Sequence, residues 1–349
     1  MTRVTGRGHG RARTEPAPDV PAGAGDSEAP ALPAIVIGEA LVDIIAGPDG
    51  SRRNRPGGSP ANVALGLGRL GHPVRLATRV GHDHFGSLVR KHLEGSRVEL
   101  SPGSVVDAAT STATAVLDAA GAASYTFDIT WALSAAVEEA LRDGPPAHVH
   151  TGSIATALNP GADQVFRALH ALRASATLSY DPNLRPALLR SAERERERVE
   201  QLVALSDVVK ASEEDLAWLH PGESPDRTAA RWARSGPALV VLTLGANGAR
   251  AWWRHGCQDI VPVPVRVRDT VGAGDAFMAG LAGRLLDAGL LGGGPGAEAA
   301  TARTALRAAT DTDRLPAVLG EALAVAARVA ALTCGREGAD PPTAAELLV

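Results

Sequence analysis

The stretch DTVGAGDAFMAGLAGRLLDAGL, residues 269–290, strips the side chains from a turn and sets one carboxylate, Asp275, directly after it. An apolar, small-residue pattern follows at once. Glycines at 272 and 274 let backbone N–H groups converge on one point, and a helix start adds partial positive charge there, so together they make an anion site. Phosphate is the common occupant of such a site. The aspartate beside it has two readings. It can cap its own helix, or it can face a second substrate whose hydroxyl loses a proton while a phosphoryl group moves onto it. A carboxylate repels a neighbouring phosphate, so a site built only to hold phosphate has no use for it.

Around this stretch, strand-like and helix-like segments alternate. AIVIGEALVDII (34–45) reads as the first buried strand, PANVALGLGRLG (60–71) as a helix closed by Gly71, and VRLATRVG (74–81) as a strand. AHVHTGSI (147–154) and ATLSYDPNLR (176–185) are short apolar strands flanking a helical GADQVFRALHALRAS (161–175). A helix in 193–205, SDVVKASEEDLAWL (206–219), the strand ALVVLTLGANGA (238–249) and a last helix within 315–338 continue the series. Strands separated by helices predict an α/β fold with a mostly parallel sheet covered on both faces. Two regions break the rhythm. Residues 44–56 and 110–130 alternate without helices between them, and they are expected to form a few antiparallel strands standing off the main sheet as a flap over a ligand site. Residues 288–316, rich in Gly and Ala, are expected to be a loop around a loosely specified helix.

The 349 residues, 45% hydrophobic, suffice for one large core or two modest ones. A net charge of −4 with both signs interspersed excludes a basic nucleic-acid surface. No apolar stretch reads as long enough to span a bilayer. Cys257 and Cys334 are the only cysteines, which suits a reducing cytoplasm rather than a disulfide framework. Residues 1–31 are rich in Gly, Ala, Pro and Arg, lack the apolar core of a signal peptide, and are expected to be a disordered tail ahead of one domain over 32–349. Lys91 and Lys210 are the only lysines in an arginine-rich chain, and a lysine retained there suits a need for a compact point charge.

A second glycine turn opens RPGGSPANVALGLGRLG (55–71). Gly57 and Gly58 permit close backbone approach, and Asn62 projects from the first helical turn with an amide that both donates to and accepts from a polyol. GGSPANVALGLGRLG together with DTVGAGDAF resembles the paired signatures of the ribokinase-like, or PfkB, carbohydrate kinase family. VGHDHFG (80–86), DPNLRPAL (181–188), DVVKASEED (207–215) and VVLTLGANGA (240–249) lie between them and resemble bacterial fructokinases in particular. The resemblance spans residues 35 to about 346.

That resemblance implies a three-layer α/β/α sandwich with a small β-sheet lid, and an ATP-dependent sugar kinase of the fructokinase type. It implies Asp275 as the catalytic base and the backbone of Gly272, Ala273 and Gly274 as the anion hole. Asp43, Gly57, Gly58 and Asn62 would meet the sugar, and Arg185 the sugar or the phosphates. Thr243, Gly245 and Gly248 would lie against ATP, Lys210 against phosphate, and Glu213 would act through water on Mg²⁺. A monovalent cation, usually potassium, would sit near Asp269. Many relatives carry an arginine in the flap where YTFDITWAL (125–133) has Asp128, and a carboxylate there would repel an acidic sugar. Other substrates compatible with the pattern are 2-keto-3-deoxygluconate, another sugar or a nucleoside; a catalytically silent sugar or nucleotide sensor is the non-enzymatic reading. The flap is also expected to pair two copies into a homodimer. His82 and His84 lack further metal ligands at recognisable spacing, and His148 and His150 read as satisfied core residues.

Overall fold

The computed structural model describes residues 31–47, 49–117 and 123–348. Residues 1–30 of the expected tail, and 118–122 of the expected flap, lie outside the described residues.

The apolar strands assemble into one nine-stranded sheet. Numbering strands in chain order, it runs β15 (Gly256–Ile260), β14 (Ala249–Trp253), β13 (Leu239–Thr243), β12 (Val208–Ser212), β11 (Thr177–Asp181), β10 (His148–Gly152), β1 (Ala34–Ile37), β4 (Val74–Ala77), β6 (Val98–Leu100). From β13 to β6 all neighbours are parallel, while β14 and β15 are antiparallel additions at one edge. Successive side chains of a strand point to opposite faces, and the core divides accordingly. Val36, Val208 and Val241 join one cluster with the helices Ser59–Arg69, Ala273–Asp287 and Ala317–Cys334. Ile35, Ile37, Val209, Val240 and Leu242 join the other with Gly161–Leu172, Ala192–Leu205 and Pro225–Trp232. Both faces of the sheet are covered, which is why its strands read as unbroken apolar runs.

Small residues let the helices of the first layer pack closely. A side chain at Gly66 would stand 2.5 Å from the Ala279 methyl, so Ser59–Arg69 and Ala273–Asp287 are nearly in backbone contact. Ala317–Cys334 corrects one expectation: its 18 residues with mean hydropathy 1.7 are long and apolar enough to cross a membrane. Here Leu319, Ala322, Leu323 and Ala326 pack into the core beside Phe277, Met278 and Leu281. The Gly/Ala-rich segment holds a regular helix, Glu298–Thr310.

AIVIGEALVDII is not one strand. The chain turns at Gly38, where a Cβ would meet Pro60 at 2.2 Å, and continues as β2 (Leu41–Ala46) in a separate four-stranded sheet. That lid sheet has the order β3 (Arg52–Gly57), β2, β8 (Thr112–Leu117), β9 (Ala123–Asp128). It is not wholly antiparallel as expected, because β2 and β8 run parallel while the β2–β3 and β8–β9 pairs are antiparallel. The reason is topological: β2 and β8 are joined by a long passage over residues 47–111, and only adjacent strands joined by tight turns must reverse. Within that passage a short parallel pair forms, β5 (Val80–Gly81) with β7 (Val105–Val106). Asp83 caps the next helix and also accepts the Thr110 amide and hydroxyl, pinning the entry to β8.

Candidate active site

A cavity of about 1150 Å³ lies between the lid sheet and the carboxyl ends of the parallel strands, where ligands of open α/β sheets bind. Asp275 is in its wall, only 6% exposed. The helix it belongs to starts at Gly272 without any side-chain cap, so the capping reading of Asp275 fails. Its carboxylate turns instead to the other glycine motif. Oδ1 accepts from the Ser59 hydroxyl at 2.7 Å and, more distantly, from the Asn183 amide at 3.4 Å. Oδ2 accepts from Asn62 Nδ2 at 2.8 Å. The two signatures, more than two hundred residues apart, thus meet at one carboxylate.

Gly272 holds a φ of 74°, a left-handed conformation that a side chain disfavours. The Ala273 amide donates to the Thr270 carbonyl at 3.2 Å and closes the turn. Ala276 donates to Gly272. Among the described residues the amides of Gly272, Gly274 and Asp275 donate to no other group of the chain, whereas the Ala273 amide is used in the turn. Lys210 Nζ would stand 2.8 Å from a Cβ at Gly274, so the missing side chain brings an ammonium to the same turn. Lys210 is buried and paired with Asp181 at 2.8 Å. Burial works against its charge, but Asp181, Asp275 and Asp215 outweigh it and hold its pKa above the ordinary lysine value.

The lid end of the cavity is acidic. Asp43 on β2 pairs with Arg55 on β3, and its side chain reaches diagonally to Gly57, where a Cβ would lie 2.1 Å from Asp43 Oδ2, so the glycine makes room for the carboxylate. Burial pushes the Asp43 carboxyl up to about 6, with the Arg185 charge opposing. Gly58, at φ 103°, passes so close to the Glu39 carbonyl that a side chain would be 2.5 Å from it. Glu39, 3% exposed, accepts the Ala155 amide at 3.1 Å, and burial raises its pKa to about 7. Arg185 lines the cavity, with Nη1 donating to Asn183 Oδ1 at 2.6 Å and to the Asn183 and Leu184 carbonyls.

At the far end Thr243, Gly245 and Gly248 line the wall together with the segment Pro262–Val267. Asp269 also lines it, accepting Val271 N at 3.0 Å and Gly338 N at 2.8 Å. These amides and the nearby Arg55 hold its carboxyl below the usual range despite some burial.

Two singled-out carboxylates lie outside the cavity wall. Glu213 is exposed and is not in the cavity wall; Glu214, one residue on, is. Ser212 caps this short helix by accepting the Asp215 amide at 3.0 Å, and Asp215 accepts the Ser212 amide in return at 3.0 Å. Asp128 is likewise exposed and absent from the wall, because strand alternation gives the cavity Phe127 and Ile129 instead. The charge repulsion expected from Asp128 therefore does not act in the cavity. Ser59, Asn183, Glu39 and Glu214 are site residues that the sequence did not single out. Ser59 and Asn183 stand inside quoted motifs, so their positions were the available signal. His148 and His150 are core residues, hydrogen-bonded to Thr177 and Ser179.

Residues 33–345 match the signature of the pfkB family carbohydrate kinases. The chain belongs to the PfkB family. A fructokinase of Klebsiella pneumoniae is 36% identical over 252 residues, 70% of this chain and 82% of that protein. Among solved structures, a Vibrio cholerae fructokinase double mutant with fructose, ADP and potassium ion bound aligns with a TM-score of 0.71 at 29% identity, covering 91% of this chain and 98% of that one. A Xylella fastidiosa fructokinase with bound ATP aligns with a TM-score of 0.73 at 26% identity, covering 90% and 97%. This PfkB protein is an ATP-dependent carbohydrate kinase with the ribokinase-like α/β fold and a separate lid sheet.

Proposed function

We propose that this PfkB kinase transfers the terminal phosphoryl group of ATP to a primary hydroxyl of a neutral hexose, fructose before others. One observation carries the reading: Asp275 turns from its own helix into a cavity whose wall also holds undonated amides and the Lys210 ammonium. Asp275 takes the proton of the attacking hydroxyl as that oxygen bonds to the terminal phosphorus and the bond from that phosphorus to the bridging oxygen breaks, releasing ADP. The amides at 272, 274 and 275, with Lys210, stabilise charge on the phosphoryl group. Asn62, Asp43 and the Gly57–Gly58 turn hold the sugar, and the lid keeps water from taking the place of the alcohol. The fructokinase relatives support a neutral sugar.

Among the described residues no group of three or more His, Cys, Asp or Glu side chains could hold a metal by itself. That donor set fits Mg²⁺ carried by the nucleotide phosphates and water, with Glu214 reaching it through water. The ion neutralises phosphate charge when bound. We also assign a potassium-type cation to the Asp269 loop, ATP contacts to Thr243, Gly245 and Gly248, and one kinase domain to residues 32–349. We also infer a homodimer through the lid, because the edge of a small exposed sheet needs a partner or a cover, and light scattering reads it. Two free thiols suit a cytoplasmic protein.

Asp275→Ala is expected to fold and to lose about 10²–10⁴-fold in turnover; wild-type rates would refute the base. A panel of fructose, 2-keto-3-deoxygluconate, tagatose and nucleosides, read as ADP release, assigns the acceptor. Highest kcat/KM on any acceptor but fructose would overturn that choice.

A further inference from the structure

Ser59 has no part in the reaction as described, yet it donates the shortest hydrogen bond to the base, 2.7 Å to Asp275 Oδ1. We propose that Ser59, held by Asn183 and Arg185, is a positioning residue that commits Oδ1 to the protein and leaves Oδ2 to receive the substrate proton. The inference rests on the reading of Asp275 as base.

The polarity of the chain is fixed link by link. A guanidinium only donates, so Arg185 Nη1, 2.6 Å away, makes Asn183 Oδ1 an acceptor. The other arm of that amide, Nδ2, therefore faces Ser59 Oγ at 2.6 Å and donates to it. Having accepted there, Ser59 directs its single proton to Asp275. Asn183 reaches back toward Ser59 from a backbone φ of 37°, a left-handed conformation that Asn and Asp tolerate better than most residues. The turn is held from behind by Asp215, whose Oδ1 accepts the Leu184 amide at 2.7 Å. Ser59 itself is 6% exposed.

The two carboxylate oxygens thus have unlike neighbours. Oδ1 meets a buried hydroxyl whose proton has no other destination. Oδ2 meets the half-buried Asn62 amide on the cavity wall, which can share its donor with a sugar hydroxyl. Rotation about the carboxylate bond is soft, and one anchored oxygen is enough to aim the other.

Ser59→Ala removes the anchor. Asn183→Asp is isosteric, suits the same backbone and keeps the Arg185 pairing, but it offers Ser59 an acceptor and so draws the proton away from Asp275. Each is expected to lower kcat by about 10- to 100-fold, the scale of a misplaced reacting group, while KM for sugar and for ATP stays within about twofold. Ser59→Thr, which keeps the hydroxyl, is expected to restore most of kcat, and the Ser59→Ala/Asn183→Asp double variant to be no slower than the worse single one. Wild-type kcat in Asn183→Asp, alongside an inactive Asp275→Asn, would overturn this inference and leave the base standing. An active Asp275→Asn removes the base reading itself. A loss expressed mainly in sugar KM makes these residues substrate contacts and also overturns the proposal. Melting curves accompany each variant, and Asn183→Asp decides the matter if Ser59→Ala does not fold.

Discussion

Replacing Gly57 by alanine puts a methyl carbon 2.1 Å from Asp43 Oδ2, with the Asp43 Cγ at 3.1 Å and Leu41 at 3.5 Å. Ordinary contact begins near 3.4 Å, so the carboxylate must retreat by about 1.3 Å while the backbone stays put. Gly57 ends β3, and its φ lies outside the left-handed range, so alanine brings no backbone strain there. A hydrogen bond of about 2.8 Å stretched by that much is broken. Losing hydrogen bonds from a charged group to a sugar hydroxyl costs about 1.5–3 kcal/mol, which converts to about a 10- to 150-fold loss in kcat/KM for the sugar. The residues assigned to ATP, Thr243, Gly245 and Gly248, are not among those a Cβ at Gly57 would touch, so KM for ATP should hold within about twofold. Steady-state kinetics on Gly57→Ala, Asp43→Ala and the double variant give the test. Once Asp43 is gone, adding Gly57→Ala should cost little, because both changes act through one carboxylate. Unchanged sugar kinetics in Gly57→Ala, or fully additive losses, would refute the placement of Asp43 against the sugar.

Two further outcomes follow from other parts of the chain. Burial, with the charges of His148 and Lys210, pushes His150 down to about 3, so the folded state binds fewer protons than the unfolded one between that value and about 6.5. Its contribution to stability is therefore complete above pH 6.5 and lost as the pH falls. The stability gap between wild type and His150→Gln should change by about 1.4 kcal/mol per pH unit below 6.5, measured by urea denaturation from pH 7.5 to 4.5; a flat gap would mean that this histidine is not held buried and neutral. Potassium in place of a bulky organic cation should raise turnover in wild type and much less in Asp269→Ala, and equal stimulation of both would place the cation elsewhere.

Most of the order of strands and helices was readable because the central strands of the parallel sheet are buried on both faces and some helices end at a recognisable stop, as at Gly71. The short edge strand β6, with Glu99 exposed, gave no such signal. The lid was readable only as a break in rhythm. Pairing partners in a small sheet depend on connections made through distant elements, and the parallel β2–β8 contact follows from a passage that sequence alternation cannot express. Asp275 and both glycine turns were legible because their residue types are unusual for the places they occupy. Ser59 and Asn183 were not, since a serine at a helix start and an asparagine in a turn are ordinary there, and only their convergence on Asp275 sets them apart. Glu213 and Glu214 differ by one step around a helical turn, a distinction that needs the cap at Ser212 to be seen.

The near contact of Gly66 with Ala279 has a mechanical consequence. It falls about two turns beyond Ser59 on one rod and one turn beyond Asp275 on the other. The gap between proton acceptor and anchor is therefore gauged by main chain rather than by flexible side chains. A bulkier group at that crossing would act as a wedge on a lever, parting the two ends without touching either of them.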